Sequence, residues 1–338
     1  MPLISFTSKG LYCRQAGVYI DPWGKVDKAL ITHGHSDHAR WGMNHYLCTT
    51  TAAPVIRYRL RLDDTQIQTV AFGEKVYING VTFSFHPAGH VIGSAQIRVE
   101  YKGEIWVVSG DYKTVADGIS EPFESIRCHH FITESTFGLP IYNWDDQAVI
   151  INDINRWWQQ NRSQGISSIL SAYALGKAQR ILCNIDTGIG PVFAHAAVEN
   201  INQVFREQGY LIPPCRLAQQ ATKEELKGAL VIAPPSAADS PWAKRFGAHQ
   251  TGIASGWMAL RGARRRRAAD RGFVLSDHAD WKGLNEAILD TGAETVYVTH
   301  GYSDIFAQWL NTKGIDAQPV VTSYGQDEPE ESIEEVVP

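Results

Sequence analysis

The segment His33-Gly34-His35-Ser36-Asp37-His38 constrains this chain more than any other part of it. It directly follows the apolar run ALIT, which reads as a β-strand. Three imidazoles and a carboxylate are therefore crowded at one strand end. Imidazole plus carboxylate suits zinc, manganese or iron. In such a loop His33 and His35 can converge on one ion while Asp37 and His38 turn towards a second, with Gly34 letting the backbone bend between them. The alternative is a solvated polar loop. Two further residues also sit just after strand-like runs, His90 in PAGHVIGS and Asp111 after IWVVSG. Taken singly, each is an ordinary loop residue. Taken with the first cluster they complete a dinuclear set, because the two oxygens of Asp111 can bridge two cations. Two ions ~3.5–4 Å apart can supply a nucleophile and neutralise a scissile phosphate.

The rest of the chain indicates how these residues are carried. A length of 338 residues suggests about two domains and is long enough to bury a full core. Residues 1–140 alternate short β-like runs (LISFTS, GVYID, HYLCTT, KVYINGVTFSFHPA, AQIRVEYKGEIWVVSGD) with turn signals, and Asn79-Gly80 reads as a two-residue hairpin turn. From about 141 the texture changes. Ile150, Ile154, Trp157 and Trp158 have helical spacing, and strand-like SSILSAY, GPVFAH and GALVIAPP alternate with helices, which suits a parallel sheet. Residues 272–324 restart the first texture with GFVLSDHADW and TVYVTHG, and 325–338 reads as an acidic disordered tail.

The formal net charge of −5 taken alone argues against a nucleic-acid partner. The distribution weakens that argument. The tail holds six acids and no base, and without it the charge is +1, while Arg261 to Arg271 contains six arginines. Cys13, Cys48, Cys128, Cys183 and Cys215 are odd in number and form no CxxC pair, so a disulfide framework or thiolate zinc site is not expected and a reducing cytoplasm is. The N-terminus lacks a signal-peptide pattern, and no stretch approaches the ~20 apolar residues of a membrane span, so no membrane partner is expected.

In its ordered motifs the chain resembles the metallo-β-lactamase superfamily from about residue 15 to 323: HxHxDH, then His90 in a glycine-flanked loop, then Asp111 after a strand, with Asp21 in YIDPW at the loop-orienting position. Glu134 in TESTFG, His278 in LSDHADW and His300 in VTHGYSD resemble the extra motifs of its nucleic-acid-processing β-CASP group. The resemblance implies an α/β fold, a metallo-β-lactamase αββα sandwich, with a β-CASP α/β cap inserted over 141–271. It implies His33, His35, Asp37, His38, His90, Asp111 and His300 as metal ligands and Asp37, His278 and Glu134 as the catalytic residues. His278, hydrogen-bonded to Glu134, would stand near the leaving 3′ oxygen, where a carboxylate neighbour favours the protonated imidazole. Within the group, ESTFG, SAYALGKAQRIL, APPSA, SGWM and GFVLSDHADW resemble the bacterial DNA-ligase-associated exonucleases.

That resemblance implies a metal-dependent DNA exonuclease working 5′ to 3′ from a 5′-phosphate end in DNA repair, associated with a DNA ligase, a helicase and a phosphoesterase. Two divalent ions are implied, zinc first, manganese or iron also fitting. The substrate would be single-stranded or end-containing DNA. A histidine at the last motif, as at His300, is common in RNA-processing members, so a ribonuclease J-like or mRNA 3′-end-like nuclease is the alternative. A small-molecule hydrolase fits less well with the late motifs, and a silent binding module less well with filled ligand positions. For substrate contacts, Ser171, Tyr173, Lys177 and Arg180 at a strand–helix turn are candidates for an end phosphate. Ser236, Lys244 and Arg245 are candidates for the groove, and Arg264–Arg267 for the backbone. Each of these segments could equally be solvated, and of the tryptophans only Trp257 is a candidate for base stacking.

Overall fold

The computed structural model describes residues 2–238, 240–260, 262 and 269–322. The expected Arg264–Arg267 contacts and the 325–338 tail lie outside the described residues. The chain forms two compact units. Among the described residues, one comprises 2–143 with 278–322, the other 144–277.

The first unit is an αββα sandwich. Its six-stranded sheet runs in chain order through Ile4–Thr7, Gly10–Cys13, Val18–Ile20, Lys28–Leu30, His45–Thr49 and Ile67–Val70. The first three strands pair antiparallel and the rest parallel. The seven-stranded sheet is ordered Asp316–Pro319, Thr295–Val298, His130–Thr133, Glu104–Val108, Ala95–Tyr101, Val81–Pro87 and Lys75–Ile78. Side chains alternate across a strand, and the core is divided accordingly. Trp106, Val108 and Ile132 join a cluster with Ile4, Leu11, Val18, Ile20 and Leu30 between the sheets. Their neighbours Val107 and Phe131 face the opposite way, onto Leu284, Ile288, Phe306 and Leu310 from the helices Trp281–Thr291 and Ser303–Thr312. The hairpin turn at Asn79-Gly80 has both residues at positive φ, 50° and 83°, as a two-residue turn matched to strand twist requires.

The second unit is built on a six-stranded, wholly parallel sheet: Arg216–Leu217, Val192–Ala194, Leu230–Ala233, Ser167–Ser171, His249–Ala254 and Arg271–Phe273. Its central strands Ser167–Ser171 and Leu230–Ala233 are buried at every residue, as a parallel sheet covered on both faces demands. The helix Gln147–Ser163 presents Ile150, Ile154, Trp157 and Trp158 inward. Arg271–Phe273 pairs with His249–Ala254 in this sheet, so the chain rejoins the first unit at His278 rather than at residue 272.

Candidate metal centre

The residues of the cluster stand just beyond strand ends of the first unit. His33 follows Lys28–Leu30, His90 follows Val81–Pro87, Asp111 follows Glu104–Val108, Glu134 follows His130–Thr133 and His300 follows Thr295–Val298. Strand ends release the chain from the ladder, so a side chain there can turn into a shared space.

The structure brings the seven expected ligands together. His35 Nδ1 lies 3.1 Å from His33 Nε2 and 3.0 Å from His90 Nε2. Asp111 Oδ2 is 3.5 Å from His33 Nε2 and 3.7 Å from His90 Nε2. On the other side, His38 Nε2 is 3.5 Å from Asp37 Oδ2 and 3.4 Å from Asp111 Oδ1, and His300 joins His38 and Asp111 within 4.8 Å. Asp111 thus faces one group with each oxygen. With metal–nitrogen bonds of ~2.0–2.1 Å, ligand atoms of a tetrahedral ion lie ~3.3 Å apart, close to the spacings among His33, His35, His90 and Asp111 and from His38 to Asp37 and Asp111. Asp111 Oδ1 is buried and accepts no hydrogen bond, a costly state for a carboxylate oxygen that a cation would relieve.

The surrounding hydrogen bonds fix which imidazole nitrogen faces inward. Thr32 Oγ1 donates to Asp21 Oδ2 at 2.5 Å, so it accepts from His33 Nδ1 at 3.1 Å and leaves His33 Nε2 as a lone pair. Asp21 Oδ2 accepts from His38 Nδ1 at 2.8 Å, and Asp21 Oδ1 from the Thr32 amide at 2.8 Å. Asp21 does this from a positive φ of 42°, a conformation that surrounding contacts must hold. Glu134 Oε1 accepts from the Tyr112 amide at 2.8 Å, and its two oxygens lie 3.0 and 2.9 Å from His278 Nδ1. His278 therefore donates from Nδ1 to Glu134.

The charges follow the same geometry. Burial alone would lower His38, but Asp111, Asp37 and Asp21 raise it well above the ordinary imidazole range. Burial alone would raise Asp111, but the neighbouring histidines, His38 first, hold it well below the carboxylate range. Burial lowers His33 and His300. The cluster thus favours neutral imidazoles at His33 and His300 and an ionised Asp111, the forms that bind metal.

The second-unit candidates behave differently. Lys177 and Arg180 are buried, and both turn onto Asp277, at 3.4 and 3.0 Å. Arg180 also donates to Ser276 O and Gln147 Oε1, each at 2.5 Å. The two cations share one internal carboxylate, so the pair carries one net positive charge beside the expected end-phosphate position. Lys177 Nζ also lies 4.5 Å over the Tyr173 ring, and Ser171 is buried at its strand end. Ser236 and Arg245 are exposed, whereas the side chain of Lys244 lies outside the described residues. Among the residues that sequence reasoning passed over, Arg59 donates to the Gly34 carbonyl inside the ligand loop, and burial pushes its guanidinium down to about 10. Ser135 donates to the carbonyls of Thr299 (3.1 Å) and His300. The sole sequence signal for Ser135 was its place beside Glu134.

No family profile matches the chain. It is 33% identical over 316 residues to a probable DNA ligase of Opitutus terrae, covering 92% of this chain and 30% of that protein. It is 29% identical over 201 residues to the endoribonuclease YSH1 of Eremothecium gossypii, covering 48% of this chain and 26% of that protein. The chain thus spans less than a third of the length of either relative. A crystal structure of a protein of unknown function from Enterococcus faecalis shares the fold, with a TM-score of 0.60 over 88% of this chain and 80% of that one at 10% identity. Among the described residues no helix is long and apolar enough to cross a membrane.

Proposed function

The chain belongs to the β-CASP group of the metallo-β-lactamase superfamily, and from that premise we propose that it is a metal-dependent DNA nuclease, an exonuclease working from a 5′-phosphate end alongside a DNA ligase. The observation that carries the reading is the two-sided ligand set on Asp111 with His278 beside it: Asp111, Glu134 and His278 offer atoms within 4.8 Å of one another. His33, His35, His90 and Asp111 would hold one divalent ion, and Asp37, His38, Asp111 and His300 the other. Zinc suits these ligands best, and manganese or iron also fits. Such a pair, when bound, supplies an activated nucleophile and neutralises phosphate oxygens. The protein supplies the rest. Asp21, Thr32 and Arg59 hold the ligand loop. His278, oriented by Glu134, gives its Nε2 proton to the leaving 3′ oxygen as the P–O bond breaks.

The DNA assignment is supported by the ligase-named relative, which matches nearly the whole chain. The similarity to an endoribonuclease favours the second reading, an RNA-processing nuclease. Digestion of DNA and RNA labelled at either end, with and without a 5′ phosphate and across zinc, manganese and iron, separates them. Release of mononucleotides from 5′-phosphorylated DNA is expected. Turnover of RNA alone would reverse the choice.

A further inference from the structure

The ligand loop turns from buried to exposed in a definite order. His38 and Ala39 are buried, Arg40 is half-buried, and Trp41 is 70% exposed. An indole that open to water gives nothing to the core, yet it is not loosely placed. The stem of Lys25 crosses Gly42 closely enough that a Cβ there would lie 3.2 Å from it, and Lys25 Nζ then sits 5.1 Å from the Trp41 ring centroid. A cation over the ring holds it in place by cation–π attraction. The preceding residue, Arg40, is tied to the ligand loop, Nε donating to the Asp37 carbonyl at 3.3 Å and Nη1 to the Trp23 carbonyl at 3.4 Å. Trp41 therefore has one cation, Lys25, set over its ring. Three virtual bonds of ~3.8 Å separate it from His38, so the two α-carbons are at most about 11 Å apart. At ~3.4 Å per stacked nucleotide that is within about three nucleotides of the bond at the metal centre.

An exposed aromatic face beside a positive charge is what a nucleic-acid strand meets favourably: the base stacks and a neighbouring phosphate finds a cation. We infer that Trp41 is a stacking platform for one base of the substrate strand, with Lys25 taking a neighbouring phosphate. This rests on the nuclease reading and adds a subsite to it.

The test uses a single-stranded oligonucleotide and versions of it with an abasic residue at each of the first three positions from the cleaved bond, with kcat and KM measured for the full-length protein. Trp41→Ala is expected to raise KM about tenfold on the intact strand, the scale of one lost base stack. Trp41→Phe should restore most of that. On the strand whose abasic position matches the platform, wild type and Trp41→Ala should have the same KM. An unchanged KM on the intact strand, or an equal rise on intact and abasic strands, overturns the platform. So does a shift in oligomeric state on Trp41→Ala by light scattering, which would make the face a contact between copies. Wild-type protein that cleaves neither DNA nor RNA sinks the nuclease reading instead, a different result from a wild type that cleaves and a variant that matches it.

Discussion

Glu134 and His278 stand 144 positions apart in the chain and meet with Oε2 of one 2.9 Å from Nδ1 of the other, both buried. The Tyr112 amide holds the carboxylate from behind, so the imidazole is aimed as well as polarised. His278→Ala is expected to lower kcat by about 10²–10⁴, the range for losing a positioned proton donor. Glu134→Gln should cost roughly 10–100-fold, as for an outer partner that orients a reacting group. Both variants should keep their bound metal, measured by elemental analysis. Loss of metal in His278→Ala would make it a ligand rather than a proton donor.

Asp111 faces both ligand groups, and His300 only one. Asp111→Asn should therefore empty both positions, whereas His300→Ala should retain about one ion per chain. Chelation should abolish hydrolysis, and divalent ion added back should restore it and raise the melting temperature, since binding to the folded state alone stabilises it. Equal metal content in the two variants would remove Asp111 from the bridging role.

Much of this centre was legible in the sequence, because metal ligands must be residues of few types and here they fall just after strand-like runs. His33 to His38 could be singled out for that reason, and His90 and Asp111 only together with that cluster. The carboxylate met by a buried cation could not. Lys177 and Arg180 read as phosphate contacts in the sequence, where their shared partner Asp277, about 100 positions on, is not visible. Exposure was equally hidden: nothing in ARWGM separates Trp41, in solvent, from Trp106 or Trp158, in the core. The strand Arg271–Phe273 was read as a return to the first unit because its pairing partner, His249–Ala254, is set by tertiary contact rather than by local pattern.

His300 adopts a positive φ of 53°, unusual for a residue with a Cβ. Ser135 holds it there by donating to the carbonyls of Thr299 and His300. Gly301 is required beside it, since a Cβ at that position would lie 2.5 Å from the Ser135 carbonyl oxygen. Ser135→Ala removes the bonds and leaves the strain, and should destabilise the fold by about 1–3 kcal/mol. It should also weaken the metal position that includes His300 more than the other, read by stepwise metal titration. Uniform weakening of both positions would show that Ser135 supports the fold in general and not His300 in particular.

Burial pushes the thiols of Cys48, Cys128 and Cys215 from 9.0 up to about 12. A raised acid pKa means that the unfolded chain ionises first. The associated stability is present below about pH 9 and is lost as pH rises from there towards 12. Cys48 is wholly buried, and at pH 11 its share of the loss is roughly 3 kcal/mol at ~1.4 kcal/mol per unit. Urea midpoints at pH 8, 10 and 11 test this. Wild type should fall steeply above pH 9. Cys48→Ala should begin lower at pH 8, because a buried side chain has been cut back, and then fall less. Parallel curves for the two proteins would mean that the alkaline loss comes from other groups.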